Sequence, residues 1–117
     1  MVIADLLEIR PVLQQLVNQK MPAKLAYALA KNIKQVNAEL ETFEQTRIKL
    51  LADNWPLNEK TQQYDVPEEE KAKWNKMYDE LIKAEVKLDP YLVEPDGFDG
   101  VELTPGEMMA ISWMIKE

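Results

Sequence analysis

Apolar residues recur at helical spacing through most of the chain, and that spacing predicts the architecture. From Pro22 to Asp53 no Gly or Pro interrupts, and Ala, Leu, Lys, Glu and Gln dominate, all good helix formers. Ala26, Leu29, Ile33, Val36, Leu40, Phe43, Arg47 and Leu50 step by 3 and 4 in alternation, an a/d heptad stripe with one charged member. At about 1.5 Å per residue this helix is roughly 45 Å long. So long a stripe needs a second helix beside it.

The second stripe follows a polar loop over 54–66. Trp74, Met77, Leu81, Ala84 and Leu88 repeat the spacing, and Asp65-Val66-Pro67-Glu68 has the form of a capping box, so a helix is predicted over 67–87. The two stripes imply an antiparallel, coiled-coil-like hairpin in which facing residue numbers sum to about 121. Phe43 then meets Met77, Leu40 meets Leu81 and Arg47 lies against the face of Trp74.

Shorter elements flank the hairpin. Met1-Val2-Ile3 reads as a short strand with Asp5 as a helix N-cap, and Pro11 opens a helix over 10–19 because a missing N–H costs nothing in a first turn. Val86, Leu88, Pro90 and Leu92 alternate with polar positions before the turn-rich Pro95-Asp96-Gly97-Phe98-Asp99-Gly100. A minor β element is expected there, pairing with Val101 to Leu103 or with residues 1–3. Thr104-Pro105-Gly106-Glu107 is a capping box with proline at the first helical position, starting a last helix over 105–116 that carries Met108, Ile111, Met114 and Ile115. The fold class is therefore mainly α: one domain, residues 1–117, built on a long helical hairpin with short flanking helices.

Composition narrows the chemistry. The 117 residues hold 46% apolar and 30% charged side chains, the balance of a folded chain. Without cysteine or histidine, disulfides, thiol catalysis and imidazole general bases are excluded, and so are the usual zinc ligands. No apolar run is long enough to span a membrane and no basic-then-apolar leader opens the chain, so a cytoplasmic protein without membrane contact is expected. The net charge is −7, with residues 1–53 at +1 and residues 54–117 at −8. An acidic half repels phosphate backbones, so no nucleic-acid partner is expected.

The remaining motifs read first as structure. Lys20, Lys24, Tyr27, Lys31 and Lys34 share a helical face, which Asp79, Glu80 and Glu85 of the partner helix would partly neutralise. The acidic stretch 89–107 fails as a calcium loop, because counting from Asp89 puts Tyr91 and Val93 at ligand positions. None of the three glycines belongs to a phosphate-binding motif. No carboxylate pair stands out for acid–base work, so no catalytic, cofactor-binding or metal-binding residue is assigned. For contacts with a protein partner, the candidates are Trp55 and Tyr64 in the hairpin loop and Asp96, Phe98 and Asp99 in the acidic turn. Trp55 has a second reading, in which it folds back and caps the hairpin tip.

The segments ADLLEIRPVLQQLVNQKMPAKLAYALAKNIKQVNAELETFEQTRIKLL, WNKMYDELIKAEVKLD and LTPGEMMAISWMI together resemble a family of small helical proteins encoded by tailed phages and prophages. The resemblance implies a viral protein acting in the host cell, where such chains serve as virion or assembly components or as inhibitors that grip a host protein. It brings no activity or site residue with it. The expected function is thus non-enzymatic protein–protein interaction with a host, phage or self partner, modulating a host or defence factor. A self-associating structural component and an acidic mimic of nucleic acid are the alternatives.

Overall fold

A computed structural model describes all 117 residues. The chain is mainly helical: α1 (Ile3–Leu16), α2 (Ala23–Asn54), α3 (Lys71–Ile82) and α4 (Pro105–Ile111), with a two-stranded antiparallel sheet of β1 (Leu57–Asn58) and β2 (Gln63–Tyr64). No helix is long and apolar enough to cross a membrane. The molecule extends over 53 × 28 × 22 Å, its long axis set by the 32 residues of α2.

The first helix starts well before Pro11 and contains it, contrary to the expectation of a helix over 10–19. The reason is burial. Ile3, Leu6, Leu13 and Leu16 are all buried, each contributing about 1.5–3 kcal/mol, which outweighs the roughly 3 kcal/mol cost of an interior proline. Asp5 sits one turn in and accepts the Val2 N–H through Oδ2 at 2.8 Å.

The hairpin of α2 and α3 is present, with a shorter second arm than the spacing implied. A single 3₁₀ turn over Glu68–Glu70 precedes α3, with Pro67 before it and no side-chain cap, so the capping box at Asp65 does not form. Residues beyond Lys83 leave the helix because other backbone claims them. Ala84 C=O accepts from Ile3 N–H at 3.1 Å, Val86 N–H donates to Met1 C=O at 2.8 Å, and Val2 pairs with Glu85. Residues 1–3 are thus the expected β partner, whereas Val101 to Leu103 pair with nothing and Val93 bridges to Ile115 instead.

Aromatic rings fix the hairpin register. Trp55 meets Trp74 edge-on at 6.1 Å, Trp74 meets Tyr78 at 5.9 Å, and Tyr78 meets Phe43 at 6.1 Å. Phe43 therefore faces Tyr78, one position beyond the expected Met77. Arg47 does not lie on Trp74, whose ring is engaged by Trp55 and Tyr78; its guanidinium turns back along α2 to Glu44. Along α2 the buried residues are Leu25, Ala28, Leu29, Asn32, Val36, Leu40, Phe43 and Leu51, while Ala26 is exposed.

The centre of the fold is an extended strap from Lys83 to Glu94 laid across α2. Two side-chain amides one turn apart hold it by the backbone. Asn32 Nδ2 donates to Tyr91 C=O at 2.9 Å and Asn32 Oδ1 accepts Tyr91 N–H at 2.7 Å. Gln35 does the same for Asp89, at 2.6 and 2.9 Å. Val93 then donates to Met114 C=O and its own carbonyl accepts Lys116 N–H, both at 2.8 Å. Asn32 is fully buried and is the one polar residue in an otherwise apolar core. That core lies between α1, most of α2, the strap and α4, with Ile111 and Met114 filling its end.

Candidate interaction surfaces

The sequence-derived contact residues fall into two groups at opposite ends of α2, so they do not make one site. Trp55 and Tyr64 are at the hairpin tip. Trp55 is only 5% exposed, so it is a structural residue of the hairpin and not the expected contact residue. Its indole N–H donates to Glu70 at 2.6 Å, Trp74 meets its edge, and the Lys73 ammonium sits 5.7 Å from its ring centre. An indole buried in its own hairpin leaves nothing for a partner. Tyr64 is half-buried and lines a cleft with Ile48, Leu57, Val66 and Trp74. The loop that carries it is ordered by Asn58, whose Oδ1 accepts the N–H groups of Lys60 and Thr61.

Asp96, Phe98 and Asp99 belong to the other end. A 3₁₀ turn over Pro95–Phe98 places exposed Asp96 at a cleft with Lys24, Tyr27, Tyr91 and Leu92. Phe98 is half-buried against the core and Asp99 is exposed beside it. Gly97 is required here, since a Cβ would come within 2.7 Å of Val93 Cγ1. Tyr27 and Tyr91 meet edge-on at 5.4 Å, and Lys31 lies 5.6 Å from the Tyr27 ring centre. The acids of α3 do not neutralise this lysine face: Asp79 bonds Lys83 on its own helix, and α3 lies beside the far half of α2.

A third surface, missed in the sequence, is a groove of about 660 Å³ between α1 and α4. Asp5, Glu8, Ile9 and Val12, at helical i, i+3, i+4 and i+7 positions, form one wall. Met109 and Ala110 of α4, with Ser112 and Trp113 of the 3₁₀ turn that follows it, form the other, with Met1 and Gly106 beside them. Met109 is 77% exposed, the most exposed large apolar residue of the chain. The Trp113 indole N–H donates to Ala110 C=O at 2.8 Å, so its polar edge is satisfied within the protein and the ring lines the groove as an apolar surface. No Lys or Arg lines the groove, and neither Asp5 nor Glu8 is in an ion pair.

One signal in the sequence pointed here. In Met108-Met109 followed by Ile111 and Met114, consecutive helical residues diverge by about 100°, so once Ile111 and Met114 define the core the methionine pair cannot both be inside; both are exposed, Met108 at 39% and Met109 at 77%. The groove itself joins residues about a hundred positions apart and could not be read locally.

Two ionisable side chains are held away from their ordinary values. The shifted groups are Glu44, lowered by its hydrogen bond from Arg47, and Arg47, raised by the same bond. Every buried side-chain nitrogen and oxygen has a partner, and no three acids are placed to hold a metal ion.

No family model, curated protein or solved structure matches this chain. The α1/α4 groove differs from the other two clefts in holding the most exposed large apolar side chain, Met109, and in having Asp5 and Glu8 as its charged side chains.

Proposed function

We propose that this protein is a non-enzymatic binding protein that grips another protein through the groove between α1 and α4. One observation carries the reading: Met109 stands 77% exposed above an apolar floor of Ile9, Val12 and Trp113. Leaving a long apolar side chain in water at a ready-made concavity wastes burial worth about 1.5–3 kcal/mol unless a partner covers it. Methionine suits this task because its unbranched, polarisable side chain adapts to the surface it meets. In the phage setting that the sequence resemblance implies, the partner is a protein of the host cytoplasm, and binding modulates it.

A photo-crosslinking amino acid at position 109, with exposed Lys49 on α2 as the control position, tests the reading in cells. Discrete adducts from position 109 and none from position 49 are expected. Equal labelling from both positions, or none from 109, refutes it.

A further inference from the structure

Resting on that reading, we infer that the groove receives a cationic amphipathic helix of the partner protein. The argument is one of shape and charge together. Two helices, α1 and α4, form walls around an apolar trough, the arrangement into which a third helix lays its apolar face by i, i+3, i+4 and i+7 anchors. The partner's anchors meet Met109, Trp113, Ile9 and Val12. What flanks those anchors is set by the border of the groove. Asp5 and Glu8 stand one turn apart on α1, both exposed and neither in an ion pair.

The selection has two levels. With no Lys or Arg in the lining, an acidic helix is repelled by Asp5 and Glu8 and has only the Met1 amino terminus to attract it, whereas lysines or arginines beside the anchors find two carboxylates that are in no ion pair. The net charge of −7 adds a long-range attraction that speeds encounter with a cation. The same border argues against an anionic lipid surface, which the two carboxylates repel. It also argues against a second copy of this groove, whose lining brings the same two carboxylates and no Lys or Arg to pair with them.

The test uses the full chain and synthetic peptides. A leucine/lysine peptide of about 18 residues, long enough to form a helix, carries apolar residues on one face. Its companions are the same peptide with Glu for Lys, and a scrambled leucine/lysine peptide that has the charge without the face. Binding is followed by ¹⁵N-resolved NMR, with the Trp113 indole N–H as reporter. The cationic amphipathic peptide alone should bind, shifting Trp113 and residues 5–12 and weakening as salt is raised. Glu8→Lys should lower the affinity roughly five-fold and Met109→Gln roughly ten-fold. Both side chains are exposed, so the variants keep the fold, and unchanged backbone spectra confirm it.

Several results overturn the inference: equal binding of the acidic or scrambled peptide, shifts that map to the Tyr27/Tyr91 cleft, binding to zwitterionic vesicles that needs Met109, dimerisation through the groove, or no binding. If these arise while position 109 still crosslinks to a protein in cells, the groove remains a protein-binding surface and the cationic helix is ruled out. Loss of the crosslink removes the broader reading as well.

Discussion

Removing the buried amide of Asn32 should destabilise the protein far more than removing the matching amide of Gln35, although each side chain makes the same pair of bonds to the strap. In Asn32→Ala, Tyr91 loses the acceptor of its N–H at 2.7 Å and the donor to its C=O at 2.9 Å. Asn32 is fully buried, so water has no easy route to replace it. Each stranded group costs about 1–3 kcal/mol, and since Tyr91 is itself 46% exposed the lower part of the sum applies, about 2–4 kcal/mol. Asp89, by contrast, is exposed and Gln35 only half-buried. Water takes over its bonds, and Gln35→Ala should cost about 0.5–1.5 kcal/mol. Urea unfolding followed by tryptophan fluorescence measures both, and hydrogen exchange should show the Tyr91 amide unprotected in the first variant. In Asn32→Asp the carboxylate would face the Tyr91 carbonyl, and burial would raise its folded pKa. Its deficit should therefore be smallest below about pH 4 and grow as pH rises through the raised value. If Asn32→Ala costs no more than Gln35→Ala, burial does not set the strength of this clamp and the reasoning fails.

The other expectations are smaller in scale. Thr104 accepts Glu107 N–H at 3.2 Å while Glu107 accepts Thr104 N–H at 3.0 Å, so Thr104→Ala should cost about 0.5–2 kcal/mol in a denaturant titration; an unchanged midpoint would contradict it. Trp55→Phe keeps a ring in the hairpin but removes the bond to Glu70, and a loss of about 1–2 kcal/mol is expected, with Glu70→Gln losing less because its amide still accepts. The bond from Arg47 depresses the folded pKa of Glu44, so its contribution is present above the ordinary glutamate pKa and fades as pH falls through the lowered value. With the Glu44 side chain half exposed (50%), that contribution is about a few tenths of a kcal/mol; Glu44→Gln should flatten the stability profile slightly below about pH 4, and an unaltered profile counts against the pair. Finally, anisotropy titration against duplex DNA and single-stranded RNA should show no sub-micromolar, salt-dependent affinity, as the −8 charge of residues 54–117 requires.

Local signals in the sequence carried much of this structure. The long helix was readable to within one residue at each end, because uninterrupted helix formers run from Ala23 to Asn54. The Thr104 box was readable because its residues lie three apart and depend on nothing distant. What local pattern missed is what distant backbone decided. The third helix ends at Ile82 rather than near 87 because Met1 and Ile3 bind the backbone of Ala84 and Val86. Asn32 and Gln35 read as ordinary polar positions flanking an apolar stripe, and their role exists only once the strap lies on them. Pro11 does not bound the first helix, since an apolar stripe runs through it. The groove between α1 and α4 was illegible for the same reason as the clamp: its two walls come from opposite ends of the chain.

The clamp also frees the strap from its own sequence. Asn32 and Gln35 grip only amide N–H and carbonyl groups, which almost any residue supplies, so the side chain of Asp89 is not what holds the segment down and that of Tyr91 adds only its edge-on contact with Tyr27. Leu92 is likewise 50% exposed and outside the bonded backbone pairs. These three positions act as a display tray, able to change what they present to the surroundings while the frame beneath stays fixed. Proline is the residue the tray refuses at 89 and 91, because it alone arrives without the N–H that each amide must capture.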